Sequence, residues 1–316
     1  MTRVAVIGCG TVSVVHLAAI ETIGAELVGV CDIDPARAPG GYRDHRAMLD
    51  ELRPDVVHIC TPHDQHVPVA IDALERGAHV LLEKPVAHTV EEAERLVAAA
   101  KAFPDRKIGV CLQNRYNATS IAAREHLRDS PPRSGSATVL WHRDPSYYRD
   151  SPWRGRRERS GGGVLINQAI HTLDLLQWLL GDVESVASHT GRYGDFPGID
   201  VEDTAHALLG HAGGARSVFF ATVTNATDSP VTIEIVTDET TLLIRGDLTV
   251  THAGGRTEVT AERRAGTAGR NYWGVSHELL IADFYRSLGS PEPFWIGPEE
   301  ALRSQRIVDQ IYCHHS

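Results

Sequence analysis

The chain has 316 residues, room for two domains at roughly 150 residues each. Hydrophobic residues make up 42% and charged residues 23%, proportions that exclude a disordered chain. A formal net charge of −10 excludes a sequence-independent nucleic-acid binder, and the absence of any apolar run near 18 residues excludes a membrane-spanning helix. Only three of the 31 basic residues are lysines (Lys84, Lys101 and Lys107), so each lysine position invites a question.

In chain order, Val4–Ile7, Leu27–Val30, Val56–Cys60, His79–Leu82 and Ile108–Cys111 read as buried strands. They are short, rich in Val and Ile and do not alternate, as in a parallel sheet covered on both faces. Helical patterns at Val12–Thr22, Val67–Arg76 and Val90–Ala102 lie between them, the last with Thr89 as N-cap and Glu91 and Glu92 in its first turn. Strand and helix in alternation predict a doubly wound α/β domain over residues 1–116. Ser130–Gly135 is a turn-rich break. After it come a strand near Ala137–His142, a polar and aromatic loop to Gly163, and a helix over Val164–Leu180. Strands at Val183–Gly191, Thr204–Leu209, Ser217–Thr224, Val231–Thr237, Thr241–Arg245 and Leu248–Thr251 predict an open, mostly antiparallel sheet. Helices near Val275–Leu288 and Pro298–Tyr312 complete an α+β domain over 117–316, the last able to pack back on the first domain.

Five cysteines without a CxxC pair predict reduced thiols in a cytoplasmic protein. The chain enters a strand pattern by Arg3, with no leader of the secretory kind. Seventeen histidines are scattered; even the tightest group, His58, His63 and His66, fits no metal-ligand spacing, so no metal is expected.

Strand 1 runs into Gly8-Cys9-Gly10-Thr11-Val12-Ser13 and then a helix. Gly8 permits the tight turn, Gly10 lets the backbone approach a pyrophosphate at the positive helix end, and Ser13 is small enough for helix–strand packing. Asp32 ends strand 2, where its carboxylate accepts from ribose hydroxyls and repels a 2′-phosphate. These residues predict NAD in preference to NADP, with Arg37 nearby as the one opposing charge. Lys84 stands at the carboxyl end of strand 4, where ligands bind in open α/β sheets; it can orient a hydroxyl and polarise its oxygen. On the helix after Gly161–Gly163, Asn167 and His171 are i and i+4, and His171 and Asp174 are i and i+3, so all three share one face, continued by Trp178. His171 suits a hydroxyl's proton acceptor, Asp174 can orient that ring, cap or pair, and Asn167, an amide, can only hydrogen-bond.

Together, Gly8-Cys-Gly-Thr-Val-Ser-Val-Val-His16, Cys60-Thr61-Pro62 with His66, Glu83-Lys84-Pro85 and Gly161-Gly-Gly-Val-Leu-Ile-Asn167-Gln-Ala-Ile-His171-Thr-Leu-Asp174 resemble the Gfo/Idh/MocA oxidoreductase family over essentially the whole chain. Tyr147-Tyr148 and Trp153-Arg154-Gly155 resemble the lead-in of one branch. The resemblance implies a Rossmann domain whose cofactor contacts include Thr11, Val12, Thr61, Pro62, His66, Glu83 and Lys84, with Lys84 and His171 handling the proton. It also places Asn167, Asp174, Arg115, Tyr148, Trp153, Arg154 and His277 on the substrate side. Many members carry Asp where this chain has Asn167, which is therefore assigned to binding. The expected activity is interconversion of a secondary hydroxyl and a ketone on a sugar, sugar derivative or cyclitol, by a homodimer or homotetramer. Rival readings are an NAD-dependent glycosidase working through transient C3 oxidation, a silent dinucleotide-binding regulator, and a reductase of a non-sugar carbonyl.

Overall fold

The computed structural model describes residues 1–263 and 275–313, which divide into two units: 1–113 with 276–302, and 114–275 with 303–316.

The first unit opens with β1 (Arg3–Ile7), α1 (Ser13–Thr22), β2 (Glu26–Cys31), α2 (His45–Leu52), β3 (Val56–Ile59), α3 (His66–Glu75), β4 (His79–Leu82), α4 (Val90–Ala102) and β5 (Ile108–Val110). The strands form one parallel sheet in the order β2-β1-β3-β4-β5. Val4–Ile7 and Val56–Ile59 are wholly buried, which is why they read as unbroken apolar runs. Outside β2 a single parallel bridge joins Cys31 to Tyr42, a remnant of the strand that would complete a doubly wound sheet. The order reverses between β1 and β3, and the loops leaving these strands touch there. Gly8 holds φ +89°, and a Cβ on it would come 2.6 Å from the Cys60 backbone. Thr89 caps α4 by accepting from the Glu92 amide, as expected. The sequence assigned no element to α2. Its N-cap is Asp44 and only Met48 and Leu49 are buried, so its apolar face is too narrow to register as a helical period.

The second unit begins with α5 (Ala118–Asp129) and β6 (Ser134–Leu140), then two single turns, α6 (Ser146–Arg149) and α7 (Arg157–Ser160). The predicted helix over Val164–Leu180 is in fact a π-helical turn, Leu165–Ala169, running into α8 (Ile170–Leu180). Strands β7 (Val183–Gly191), β8 (Thr204–His211), β9 (Arg216–Thr222), β10 (Thr232–Val236), β11 (Thr240–Arg245), β12 (Asp247–His252) and β13 (Thr257–Thr260) follow. The eight-stranded sheet runs β13-β12-β11-β10-β6-β9-β8-β7, with β6 and β9 its one parallel pair among the described residues. Its inner face packs Ala137, Val139, Leu209, Phe219, Ile233 and Ile235 against Leu127 of α5, Leu173 and Leu176 of α8, and Ile307 and Ile311. Its outer face sets Leu208, Val218 and Ser136 in one cross-strand row, with the two apolar residues about half exposed.

Helix α9 (Ser276–Ser287) belongs to the first unit, although the sequence placed it in the second domain. It packs on α1, and Leu280, Ile281 and Phe284 form its buried stripe. Gly109 of β5 makes room for the Phe284 ring, which would lie 2.7 Å from a Cβ there. Helix α10 (Pro298–Cys313) passes from the first unit to the second at Leu302. No helix among the described residues is long and apolar enough to cross a membrane.

Candidate active site

At the carboxyl end of the parallel sheet, Asp32 is almost fully buried and fastens the glycine loop. Its Oδ2 accepts from the Cys9 amide at 2.8 Å and its Oδ1 from the Asp34 amide at 2.9 Å. Each oxygen keeps a further lone pair for a ribose hydroxyl. A Cβ on Gly10 would meet nothing nearer than Arg37 Nη1 at 3.9 Å, leaving open room beside the loop. Arg37 is paired with Asp34 at 3.5 Å, so its charge is partly answered within the loop. Thr61 Oγ1 at the end of β3 is buried with no hydrogen-bond partner among the described residues, an unmet group of the kind a ligand satisfies. A glycine turn, an anchored carboxylate and an unmet hydroxyl at a topological switch point fit an NAD-type dinucleotide.

Lys84 follows β4 and is the one partly exposed residue in the buried run Leu81–Ala87. Its neighbours are committed elsewhere. Glu83 is buried, with one oxygen, Oε1, lying 3.0 Å from both His16 Nε2 and His277 Nε2. Burial pushes the Glu83 carboxyl up, but the hydrogen bonds from His16 and His277 outweigh it and hold the group well below the usual carboxylate range. His66 differs from the expected cofactor contact. Its ring is enclosed, with Nδ1 2.7 Å from the Pro85 carbonyl and Nε2 3.0 Å from the Thr61 carbonyl, so it ties two strand-end loops together. His277, expected against substrate, sits buried on Glu83.

In the second unit the helix bearing His171 starts from a braced glycine turn. The Glu202 carboxylate accepts from the Gly163 amide at 2.9 Å, the Leu165 amide at 3.0 Å and the Tyr312 hydroxyl at 2.9 Å. It occupies the helix's positive end, where the first amides lack helical partners. A Cβ on Gly163 would strike the Glu202 carbonyl and one on Gly162 the Tyr312 hydroxyl, so the glycine run is a packing requirement. Asn167 Nδ2 donates to the carbonyls of Gly162 and Gly163, at 3.0 and 3.1 Å. Along α8 only His171 and Trp178 escape full burial.

Asp174, expected on the face of His171 with a substrate role, turns instead into the core. There it takes two parallel hydrogen bonds from Arg115, at 2.8 and 2.7 Å, and one from Ser304 at 2.6 Å. Both members of the pair are about 1% exposed, so each answers the charge of the other. Tyr148 is buried between Tyr147 and Phe196, and burial pushes its hydroxyl far up. Trp153 and Arg154 are partly exposed, with the Arg154 guanidinium 4.5 Å from the centre of the Tyr147 ring.

Sequence reasoning missed Glu202, Tyr312 and Ser304, which lie far from the motifs they brace, and His58, which hides in an apolar strand. His16, Glu83, Cys111 and His277 are brought within 4.8 Å of one another, a cluster no local spacing reveals.

A parallel dinucleotide-type sheet followed by an open-sheet domain defines a two-domain oxidoreductase architecture. The family model described as an oxidoreductase family with an NAD-binding Rossmann fold matches residues 2–106, and the Gfo/Idh/MocA C-terminal domain model matches 131–243. The chain belongs to the Gfo/Idh/MocA family. Among curated proteins it is 33% identical to a D-apiose dehydrogenase of Paraburkholderia graminis, over 68% of this chain and 58% of that one. The matched region thus spans about three fifths of that relative's length. A Bordetella pertussis WlbA dehydrogenase, solved with NADH and UDP-GlcNAcA, superposes with a TM-score of 0.82 at 29% identity, covering 99% of this chain and 96% of that one. An Agrobacterium radiobacter oxidoreductase has the same fold, at a TM-score of 0.87 and 23% identity over 99% of this chain and 96% of that one.

Proposed function

We propose that the chain is an NAD(H)-dependent dehydrogenase that interconverts a secondary hydroxyl and a ketone on a sugar, sugar derivative or cyclitol. The observation that carries this reading is selective exposure: Lys84 is the one partly exposed residue of Leu81–Ala87, and His171 is one of two in α8. Family membership and the sugar-dehydrogenase names of relatives support the substrate class.

Gly8, Gly10, Thr11 and Val12 would pass the pyrophosphate, Asp32 would bind the adenosine ribose, and Thr61 and Pro62 would line the strand end. NAD+ held there would supply the acceptor for the hydride of the carbinol carbon. His171 takes the hydroxyl proton as the C–O bond becomes C=O, and returns it in reduction. Lys84 donates to that oxygen and stabilises the charge it gains. Trp153 and Arg154 offer an aromatic face and donors to a polyol ring. The Asp34 partner of Arg37 and the carboxylate of Asp32 favour NAD over NADP.

The half-exposed Leu208 and Val218 on the outer sheet support a homodimer or homotetramer joined through this face. The five free thiols support a cytoplasmic setting.

The test is NADH formation from NAD+ across a panel of sugars and cyclitols. His171→Ala should lose about 10²- to 10⁴-fold in kcat on any substrate found. Full turnover by that variant would remove the mechanism.

A further inference from the structure

Beneath Lys84 lies a buried group of side chains with no part in the chemistry above. It draws on five elements of the first unit: His16 from α1, His58 from β3, Glu83 after β4, Cys111 after β5, and His277 and Tyr285 from α9. The two histidines of α1 and β3 and His277 are at most 1% exposed. Four contacts join its histidines, Glu83 and Tyr285: Tyr285 Oη to His58 Nε2 at 2.9 Å, His58 Nδ1 to His16 Nδ1 at 2.9 Å, and Glu83 Oε1 to His16 Nε2 and to His277 Nε2 at 3.0 Å each.

Hydrogen-bond roles fix the direction of this chain. An ionised carboxylate only accepts, so both Nε2 atoms facing Glu83 carry hydrogen. With one hydrogen on each ring, His16 Nδ1 is bare and accepts from His58 Nδ1, and His58 Nε2, then bare as well, accepts from the Tyr285 hydroxyl. Burial, with the nearby His16, holds His58 well below the ordinary histidine range, in keeping with a neutral His58 ring. His277 Nδ1 is buried with no partner among the described residues, which costs least as a bare lone pair and agrees with hydrogen on Nε2. The carboxylate at the end of the chain also takes the Lys84 amide on Oε2, at 3.3 Å.

We propose that Tyr285, His58, His16 and His277 are positioning residues for Lys84, a one-way chain of donors that fixes the Glu83 carboxylate and through it the strand end from which Lys84 projects. The inference rests on the reading that Lys84 acts on the substrate oxygen. A network in which every donor meets an acceptor holds one geometry, whereas a partly satisfied one does not. Helix α9 returns 194 residues after Glu83, at His277, to supply two of the four donors.

The small lysine count makes the test direct, because Lys84, Lys101 and Lys107 are the only lysines. The full-length protein is reductively methylated with ¹³C-formaldehyde, and the three dimethyl-lysine resonances are assigned with Lys84→Arg, Lys101→Arg and Lys107→Arg. His277→Leu and Tyr285→Phe should shift and broaden the Lys84 resonance while Lys101 and Lys107 stay in place. His277→Gln, which keeps an N–H donor, should return Lys84 toward its original position. In parallel, ¹⁵N-histidine spectra should show neutral rings with hydrogen on Nε2 of His16 and His277 and on Nδ1 of His58. An unmoved Lys84 resonance, movement of all three lysines together, or no rescue by glutamine would overturn the proposal. So would stoichiometric zinc in the purified protein that His277→Leu removes, since the ring nitrogens would then be ligands instead of donors. None of these readouts uses turnover: should Lys84→Ala keep full activity, the catalytic reading of Lys84 falls while the spectra still decide the network.

Discussion

At the scale of single residues, selective exposure separates chemistry from scaffolding. Glu83, His66 and Asp174 belong to the same motifs as Lys84 and His171, yet their side chains are enclosed and matched to partners inside the protein. Exposed positions in buried segments are where a substrate can be met. Lys84→Ala should therefore lower kcat about 10²-fold or more while leaving the Kd for NAD+ within a small factor, as read by fluorescence titration. Asp32→Ala should do the opposite, weakening NAD+ binding and narrowing the preference over NADP+. The Arg115–Asp174 pair makes a sharper contrast, because its loss concerns stability. Arg115→Met leaves a buried carboxylate without its cation and should cost about 3–5 kcal/mol in denaturant unfolding. The double change Arg115→Met with Asp174→Asn should cost clearly less, since no charge is then left alone.

At the scale of elements, the glycine motifs were legible in the sequence because each answers a local demand. Gly8 has positive φ and faces the Cys60 backbone, and Gly163 lies under the Glu202 carbonyl. The braces were not legible. Nothing in the sequence near Gly163 points to Glu202, 39 residues on, or to Tyr312, because tertiary partners leave no periodic trace. The predicted i, i+4 face of Asn167 and His171 assumed an unbroken α-helix, whereas a π-turn adds a residue between them; Asp174, on the regular turns beyond it, meets Arg115 and Ser304 in the core. The strands were well marked, since β-branched runs and turn residues bound them. Helix α2 and the return of α9 to the first unit were hidden, one by a narrow apolar face and the other by distance in sequence. Glu202→Gln keeps the shape of the brace and removes its charge from the helix start. It should lower the melting temperature and kcat together, whereas Tyr312→Phe, which loses one donor to Glu202, should have a smaller effect on both.

At the scale of the whole molecule, acid should unfold the protein early. Burial holds His58, His66, His79 and His211 below the ordinary value of 6.5, so the unfolded chain binds more protons than the folded one as pH falls past that point. Their contribution to stability is complete above about pH 6.5 and shrinks below it, down to their lower folded values. Melting temperature should therefore hold level down to about pH 6.5 and fall from there toward about pH 5, in buffers of matched ionic strength. Oligomerisation is read at the same scale. Val218→Glu places a charge in the middle of the exposed apolar row and should reduce the mass measured by light scattering to that of one chain of 34.5 kDa.

The most direct measurement is single-turnover reduction of NAD+ by the wild-type protein, His171→Ala and Lys84→Ala, each at saturating cofactor, on the best substrate from the sugar and cyclitol panel. Hydride transfer should be rapid in the wild type and slower by orders of magnitude in both variants, with NAD+ affinity unchanged in all three. Hydride transfer at the wild-type rate in both variants would contradict these roles for His171 and Lys84.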